Sequence, residues 1–534
     1  MIIRTIKVKA PPPLILILLV SSLIEINSQY LANNFFTSTD VNPGFYSTIS
    51  QSGFDLMASF LTDRTNKVMK FGDFNFNVTA PLNSIETLQL SSISIDFYDH
   101  VAFSSKLISE ESQLKWSGRN FKVTIKSEYK IFSNGGEISG IVPLLLEGTS
   151  FNLYLKTGVN GDGHLKTELT KCNVVPDKIT LAFTSSESDV LKNTIAEIYK
   201  VVRQNINDVI CPTLVDEIVP VISNRLFNTP LSVALFDHYF LNYGLLGNVT
   251  YAKGKVELAH RGNAFGILRQ GRTRLNDFRL PFKANELVAV ENEKMVTFTI
   301  SNYTLSSLLF WMDQYRKLDF EINSSAINNT MIAGYLKTDC GVEDICAGTL
   351  FPSLAEKFPN GVVMIKTHTV SFPVVKISKG KVNITMESKV DAFVQQPDKK
   401  RRFLTANMFA EISLQKPSFK DYSFNGQLKI EKTKISNVVS LVDGINADSL
   451  EFLVNALNEL FIADEMMKKL KDGIKLPIIL DFEQKKSEVT FLEDKMMISA
   501  DYCFDEGCKA SVGAGHLQAS TDTDASYYDV VQSS

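Results

Sequence analysis

Hydrophobic and polar positions alternate with period two over much of the chain. In "LQLSSISIDF", Leu88 and Leu90 share a face, and Ile93, Ile95 and Phe97 continue the pattern after a phase slip. "FNLYLK" alternates through Phe151, Leu153 and Leu155, and "KITLAF" through Ile179, Leu181 and Phe183. Successive strand side chains point to opposite faces, so these runs predict half-buried strands of antiparallel sheets. "SNGG" at 133–136 and "NGDG" at 160–163 supply turns between them.

Four stretches switch to helical spacing. In "VNPGFYSTISQSGFDLMASFL" (41–61), an Asn-Pro-Gly turn precedes a helix-like run through Tyr46, Ile49, Phe54, Met57 and Leu61. Ser50, Gln51 and Asp55 interrupt that stripe, and Gly53 at its centre costs about 1 kcal/mol against alanine. Leu191, Ile195, Ile198, Val202, Ile206 and Val209 mark an amphipathic helix with Asp189 as N-cap. Pro212 and Pro220 are expected to kink or interrupt the chain just beyond that stripe. Residues 301–315 form a third stripe, with Tyr303, Leu305, Leu308, Leu309 and Met312, and 447–461 a fourth, with Leu450, Leu453, Leu457 and Leu460. Alternating runs such as "KVNITMESKVDAFV" lie between the last two. Helix, strands, helix thus occurs twice, which predicts a duplicated architecture in which each half builds its own core.

Residues 241–285 are more polar and carry Arg261, Arg269, Arg272, Arg274 and Arg279. They read as strands joining the halves plus a linker. The small, polar stretch 509–534 reads as a disordered tail.

At about 100–200 residues per domain, 534 residues give two to four units. The formal net charge of −4 argues against a nucleic-acid-binding protein. At the N-terminus, Arg4, Lys7 and Lys9 precede an apolar run from Leu14 to Leu23, too short to span a bilayer comfortably. This is a signal-peptide pattern, with cleavage expected by residue 28. The competing reading, a signal anchor, finds no second long apolar run to support it.

An even count of six cysteines in a secreted chain implies disulfides. Cys340/Cys346 and Cys503/Cys508 are local pairs, which leaves Cys172 and Cys211 for each other. Zinc is a weak alternative, because no Cys-x-x-Cys occurs and the histidines are scattered. Glycosylation sequons stand at Asn77, Asn248, Asn302, Asn323, Asn328 and Asn383. No nucleophile elbow, zinc-protease helix or phosphate-binding glycine loop is present, so neither an enzyme nor a cofactor or metal is expected.

The stretches "NPGFYSTISQSGFDLM", "LNYGLLG" (241–247), "SNYTLSSLLF" (301–310) and "GTLFPSLAEKFPN" (348–360), with the spaced Cys172 and Cys211, carry a resemblance. Over roughly 41–504 the sequence resembles the family of bactericidal/permeability-increasing protein, lipopolysaccharide-binding protein and the plasma lipid transfer proteins. The resemblance implies an α+β boomerang of two barrel-like halves around a central sheet, each with a long helix on a twisted antiparallel sheet. Cys172 and Cys211 match the disulfide that ties the N-terminal sheet to its helix in that family.

The organisation expected on this basis is a signal peptide (1–28), an N-terminal lipid-binding barrel (29–240) and central strands with linker (241–285). A C-terminal barrel (286–508) and the tail (509–534) complete it. The resemblance also implies a pocket for phospholipid acyl chains in each half. Its walls would be Ile49, Gly53, Phe54, Met57 and Leu61 with Ile195, Ile198, Val202 and Ile206 in the first half. In the second they would be Leu305, Leu308, Leu309 and Met312 with Leu453, Leu457 and Leu460. Burying acyl CH₂ groups would drive binding at about 0.8 kcal/mol each.

Lipopolysaccharide-binding members present cationic loops at the N-terminal tip, and "FKVTIKSEYKIFSNGG" corresponds to one, with Lys122, Lys126 and Lys130 as headgroup contacts. Glu128 and Glu137 depart from that pattern, and the family's proline-rich linker is represented only by Pro281. "PDKKRRF" (397–403) is the densest basic cluster, expected as a solvated hairpin turn or as a contact for anionic headgroups. The expected partner is phospholipid or lipopolysaccharide, for innate recognition of bacteria or for lipid transfer. The rival expectation is an interaction glycoprotein whose barrels are filled by their own side chains.

Overall fold

The computed structural model describes residues 42–508, apart from 69–76, 96–101, 184–191, 193–194, 228, 237, 248, 267–279, 324–329, 342–343, 457–469, 477–481 and 505–507. The expected signal peptide and tail, Asp189, Leu191, Asn248, Asn328, Leu457, Leu460 and all of the 261–279 arginines except Arg261 therefore lie outside the described residues. So do the side chains of Leu61, Asn77, Val209 and Leu453.

The chain opens with β1 (Phe45–Ser50) and α1 (Gln51–Val68). A seven-stranded antiparallel sheet comes next: β2 (Asn77–Pro81), β3 (Thr87–Ile95), β4 (Ala102–Ile108), β5 (Gln113–Ser133), β6 (Gly136–Val159), β7 (Leu165–Val175) and β8 (Lys178–Leu181). The phase slip read in "LQLSSISIDF" is a register shift between Ser92 and Ser94 where β3 meets β5. Helix α2 (Ile195–Phe227) then lies against β7. It continues as helix through Pro212 and Pro220, contrary to the expected interruption.

Short strands β9 (Ser232–Phe236), β10 (Tyr239–Asn242), β11 (Thr250–Ala252), β12 (Lys255–His260) and β13 (Ala264–Gly266) lead to β14 (Val296–Ser301) and α3 (Asn302–Gln314). The second seven-stranded sheet comprises β15 (Phe320–Ile322), β16 (Val362–Thr369), β17 (Val374–Ser378), β18 (Lys381–Gln396), β19 (Lys399–Lys420), β20 (Ser423–Ser440) and β21 (Ile474–Lys475). Between β15 and β16 lie α4 (Thr330–Tyr335), α5 (Ala347–Leu350) and α6 (Pro352–Lys357), and α7 (Ala447–Ala456) comes after β20. Strands β22 (Glu483–Leu492) and β23 (Lys495–Cys503) complete the fold.

A six-stranded sheet of order β11-β12-β1-β14-β23-β22 joins the halves. Only β11 and β12 come from 241–285, the stretch expected to hold the central strands. The other four come from residues 45–50, 296–301 and 483–503, so distant parts of the chain are woven into one sheet. The architecture is α+β, two long antiparallel sheets about a central one, as the resemblance implies.

The 41–61 stretch is corrected in detail. Tyr46 and Ile49 are strand residues of β1, which pairs with both β12 and β14, and the helix starts only at Gln51. The chain turns from strand to helix where Ser50 donates its backbone N–H to the Met295 carbonyl at 3.0 Å. Gly53 sits just inside this turn. A Cβ there would stand 2.9 Å from the same Met295 oxygen and 3.0 Å from Ile49 Cγ2. The glycine therefore lets the helix approach the backbone before β14.

Candidate functional site

Two helices cover two sheets, and they do so differently. On α2, Ile198, Val202 and Ile206 are buried in one cluster with Leu88, Ile125, Leu146 and Leu153 of the N-terminal sheet. Ile195 packs at its edge. The Cys172–Cys211 disulfide ties β7 to α2. Asn207 Oδ1 accepts the Val174 N–H at 2.6 Å, and the Tyr199 hydroxyl accepts that of Leu181 at 3.0 Å. Covalent and polar ties thus hold the helix against the sheet, and its described apolar stripe is buried among the sheet's side chains.

Helix α3 packs Phe310, Trp311 and Met312 into a core of its own and is held in addition by hydroxyls. The Gly44 carbonyl accepts Ser301 N–H at 3.0 Å, Ser301 Oγ at 2.6 Å and Thr304 Oγ1 at 3.1 Å. Ser307, wholly buried, accepts the Ala264 N–H at 2.7 Å and donates to the Thr304 carbonyl at 2.8 Å. Hydroxyls three residues apart lie on one helix face. That face is hung from the Asn-Pro-Gly turn and from β13. Motifs about 260 residues apart in sequence are therefore joined by hydrogen bonds.

The neighbouring face of α3 borders empty space. A cavity of about 140 Å³ lies among Leu305, Leu308 and Leu309 of α3, Ile300 of β14, Met496 and Ile498 of β23, and Val382, Ile384, Leu414 and Phe424 of the C-terminal sheet. Leu235, Leu241, Leu428, Leu470, Ile474 and Leu476 complete the wall. Thr304 is the one polar liner, and its hydroxyl is already bonded to Gly44. Such a space can shelter hydrocarbon, and no acid, base or nucleophile faces it. At 140 Å³ it is smaller than the roughly 300–1,000 Å³ of typical ligand pockets, so a whole acyl chain enters only if a wall moves outward.

Of the sequence-expected wall residues, the structure brings Leu305, Leu308 and Leu309 to this cavity. Met312 is instead buried in the adjoining core. Phe54 is buried with Leu107, Leu114 and Leu258, with Ile49 and Met57 packed against that cluster. The liners from β9, β10, β18–β21 and β23 went unrecognised in the sequence, because a strand residue that faces a gap has the same alternation as one that faces a filled core.

The expected cationic loop is not a loop. Lys122, Lys126 and Lys130 lie within β5, four residues apart on the outward face. Lys122 is 3.6 Å from Glu147, and Lys130 is 3.9 Å from both Glu128 and Glu137. Lys178 and then Lys122 hold the Glu147 carboxyl below its ordinary range.

Ser47 Oγ and His260 Nε2 are 2.7 Å apart, a spacing suited to a nucleophile and its base. Both are buried in the central sheet, with His260 stacked on Phe45 at 4.2 Å and its Nδ1 2.7 Å from the Tyr243 carbonyl. The carbonyl must accept, so Nδ1 carries the proton and Nε2 accepts from Ser47. Burial lowers the His260 pKa to about 4. The pair, both members buried, fastens β1 to β12.

Glu483, Cys503 and Cys508 form the one metal-like cluster among the described residues, but the two sulfurs are bonded to each other and offer no thiolate. Cys340 and Cys346 are likewise bonded. The amide nitrogens of Asn302, Asn323 and Asn383 contact Asp494, Glu321 and Glu411 at 3.4, 2.9 and 3.1 Å.

Comparison with known proteins shows the same division into halves. The N-terminal domain of the LBP / BPI / CETP family matches residues 75–224, and its C-terminal domain matches 234–504. Lipopolysaccharide-binding protein of Bos taurus is 20% identical over 448 residues, 82% of this chain and 89% of that protein. Phospholipid transfer protein of Mus musculus is 19% identical, over 71% of this chain and 76% of its own length. A crystal structure of lipopolysaccharide binding protein superposes with a TM-score of 0.51 at 16% identity, covering 87% of this chain and all of that one. At that identity the superposition speaks for the fold. Both family domains, in order and across most of the sequence, place this chain in the LBP / BPI / CETP family.

Proposed function

We propose that this protein binds phospholipid through its acyl chains, in the cavity between α3 and the C-terminal sheet, and carries it between lipid surfaces without chemical change. The observation that carries this is the cavity itself, walled by aliphatic and aromatic side chains whose one hydroxyl is already bonded. Burying about ten CH₂ groups there would contribute on the order of 8 kcal/mol before the cost of moving a wall. The relatives are named for binding lipopolysaccharide and for transferring phospholipid. Transfer is favoured here because Lys130 stands between Glu128 and Glu137, and Lys122 shares Glu147 with Lys178. Secretion is part of the same proposal, supported by the N-terminal pattern and by three disulfides, which persist in oxidising compartments.

The test is native extraction followed by lipid mass spectrometry, with uptake of a fluorescent phospholipid by wild type and Leu308→Trp. Stoichiometric phospholipid in wild type, and uptake at least about tenfold lower in a folded Leu308→Trp protein, are expected. No recovered lipid and no uptake by wild type would favour barrels filled by their own side chains. Equal uptake by the variant would move the site elsewhere.

A further inference from the structure

The β18–β19 hairpin ends in a tip unlike the rest of the surface. Its turn is at Pro397–Asp398, and Lys399, Lys400, Arg401 and Arg402 come directly after it, all exposed. The register sets Gln396 opposite Lys399 and Phe393 opposite Arg402. Lys400 lies 4.8 Å over the Phe393 ring, with its ammonium 3.3 Å from Met364 Sδ. Arg402 is 3.5 Å from Asp391. Lys399 and Arg401 make no ion pair among the described residues.

On the other edge, β20 delivers apolar groups to the same place. Thr405 is opposite Val439, and the Leu441 N–H donates to the Phe403 carbonyl at 2.7 Å. Val439 and Leu441 are 64% and 65% exposed, two residues apart on the outward face. Lys357 adds a further cation, donating to the Leu441 carbonyl. An exposed aliphatic pair thus stands beside a row of cations, the combination that an anionic membrane surface can engage on both counts.

We infer that this tip is a docking surface for an anionic phospholipid bilayer, with the cations at the headgroups and Val439 and Leu441 entering the acyl boundary. Charge complementarity selects an anionic partner, and the exposed aliphatic pair selects a bilayer over a soluble polyanion, which would gain nothing from them. The surface is separate from the cavity. Its loss would reduce the rate of lipid delivery from anionic membranes, not the capacity to hold lipid.

The experiment is co-sedimentation of the full chain with vesicles of three parts phosphatidylcholine to one part phosphatidylserine, and with pure phosphatidylcholine. Each basic residue at an anionic surface strengthens binding about fivefold. Lys399→Gln/Arg401→Gln should therefore weaken binding to the mixed vesicles about 25-fold, and binding should fall as salt rises. Leu441→Asp should weaken it further at constant salt. Val439→Cys carrying an environment-sensitive dye should shift to the blue on mixed vesicles only. Thermal melts establish that each variant is folded, and phospholipid uptake from detergent should be unchanged, which separates failure here from failure of the cavity. Unchanged binding by the double variant, equal binding to neutral vesicles, or retention on heparin without vesicle binding would each overturn the inference.

Discussion

Helices α2 and α3 do the same job in opposite ways. Helix α2 presses Ile198, Val202 and Ile206 into a sheet whose side chains meet them, and a disulfide keeps it there. Helix α3 hangs by Ser301, Thr304 and Ser307 from backbone groups, and its leucines face a gap. A helix held by polar groups on another face can leave its apolar face unfilled. The two sheets differ at their ends as well. At the β5–β6 tip, Phe132 and Ile138 are exposed beside a lysine standing between two glutamates, whereas the β18–β19 tip carries a run of four cations.

The contrast between the helices is open to direct attack, beginning where the largest effect is expected. Cys172→Ser removes a cross-link spanning 39 residues, and stability should fall by about 4 kcal/mol in denaturant melts. An unchanged midpoint would mean that side-chain packing alone clamps α2. Ile198→Ala, in the closed core, should cost about 2–5 kcal/mol.

Acid should act on the central sheet that joins the halves. His260 binds a proton near pH 6.5 when unfolded but only near pH 4 when folded, so the unfolded state takes up more protons between those values. Its neutral form therefore stabilises fully above about pH 6.5, and that contribution, on the order of 3 kcal/mol, is lost as pH falls toward 4. Melting temperatures from pH 7.5 to 4.5 should fall in wild type and fall less in a folded His260→Gln variant. Parallel curves would assign the acid sensitivity to other groups.

Ser307→Ala orphans the buried Ala264 N–H and should cost about 1–3 kcal/mol. It should also loosen α3, visible as faster amide exchange along residues 302–314. Leu308→Ala, a half-buried residue beside existing space, should cost about 2 kcal/mol, the low end for such a truncation, while phospholipid uptake holds or rises. If Leu308→Ala proves as damaging as Ile198→Ala, the two helix faces are equally packed and the comparison fails.

Much of this was legible in the sequence, because it rests on local periodicity. Period-two runs gave the long strands, and "SNGG" and "NGDG" gave two of their turns. The Leu305/Leu308/Leu309 stripe gave α3. Misreadings arose where local signals were matched by distant ones. Tyr46 and Ile49 have helical spacing relative to Phe54, yet β12 and β14 supply ladder partners on both sides and draw 45–50 into a strand. Pro212 and Pro220 have the local signature of a break, but helix continues on both sides of each.

The sequence by itself determined the family, the duplicated order of helix and strands, and the alternation that builds each sheet. These rest on residue types at short range and on motifs in order. Only the tertiary structure decided which apolar stripe faces a gap. A leucine at helical spacing carries no record of what stands across from it. That depends on hydroxyls bonding a glycine carbonyl about 260 residues away, and on six strands from four separated segments meeting in one sheet.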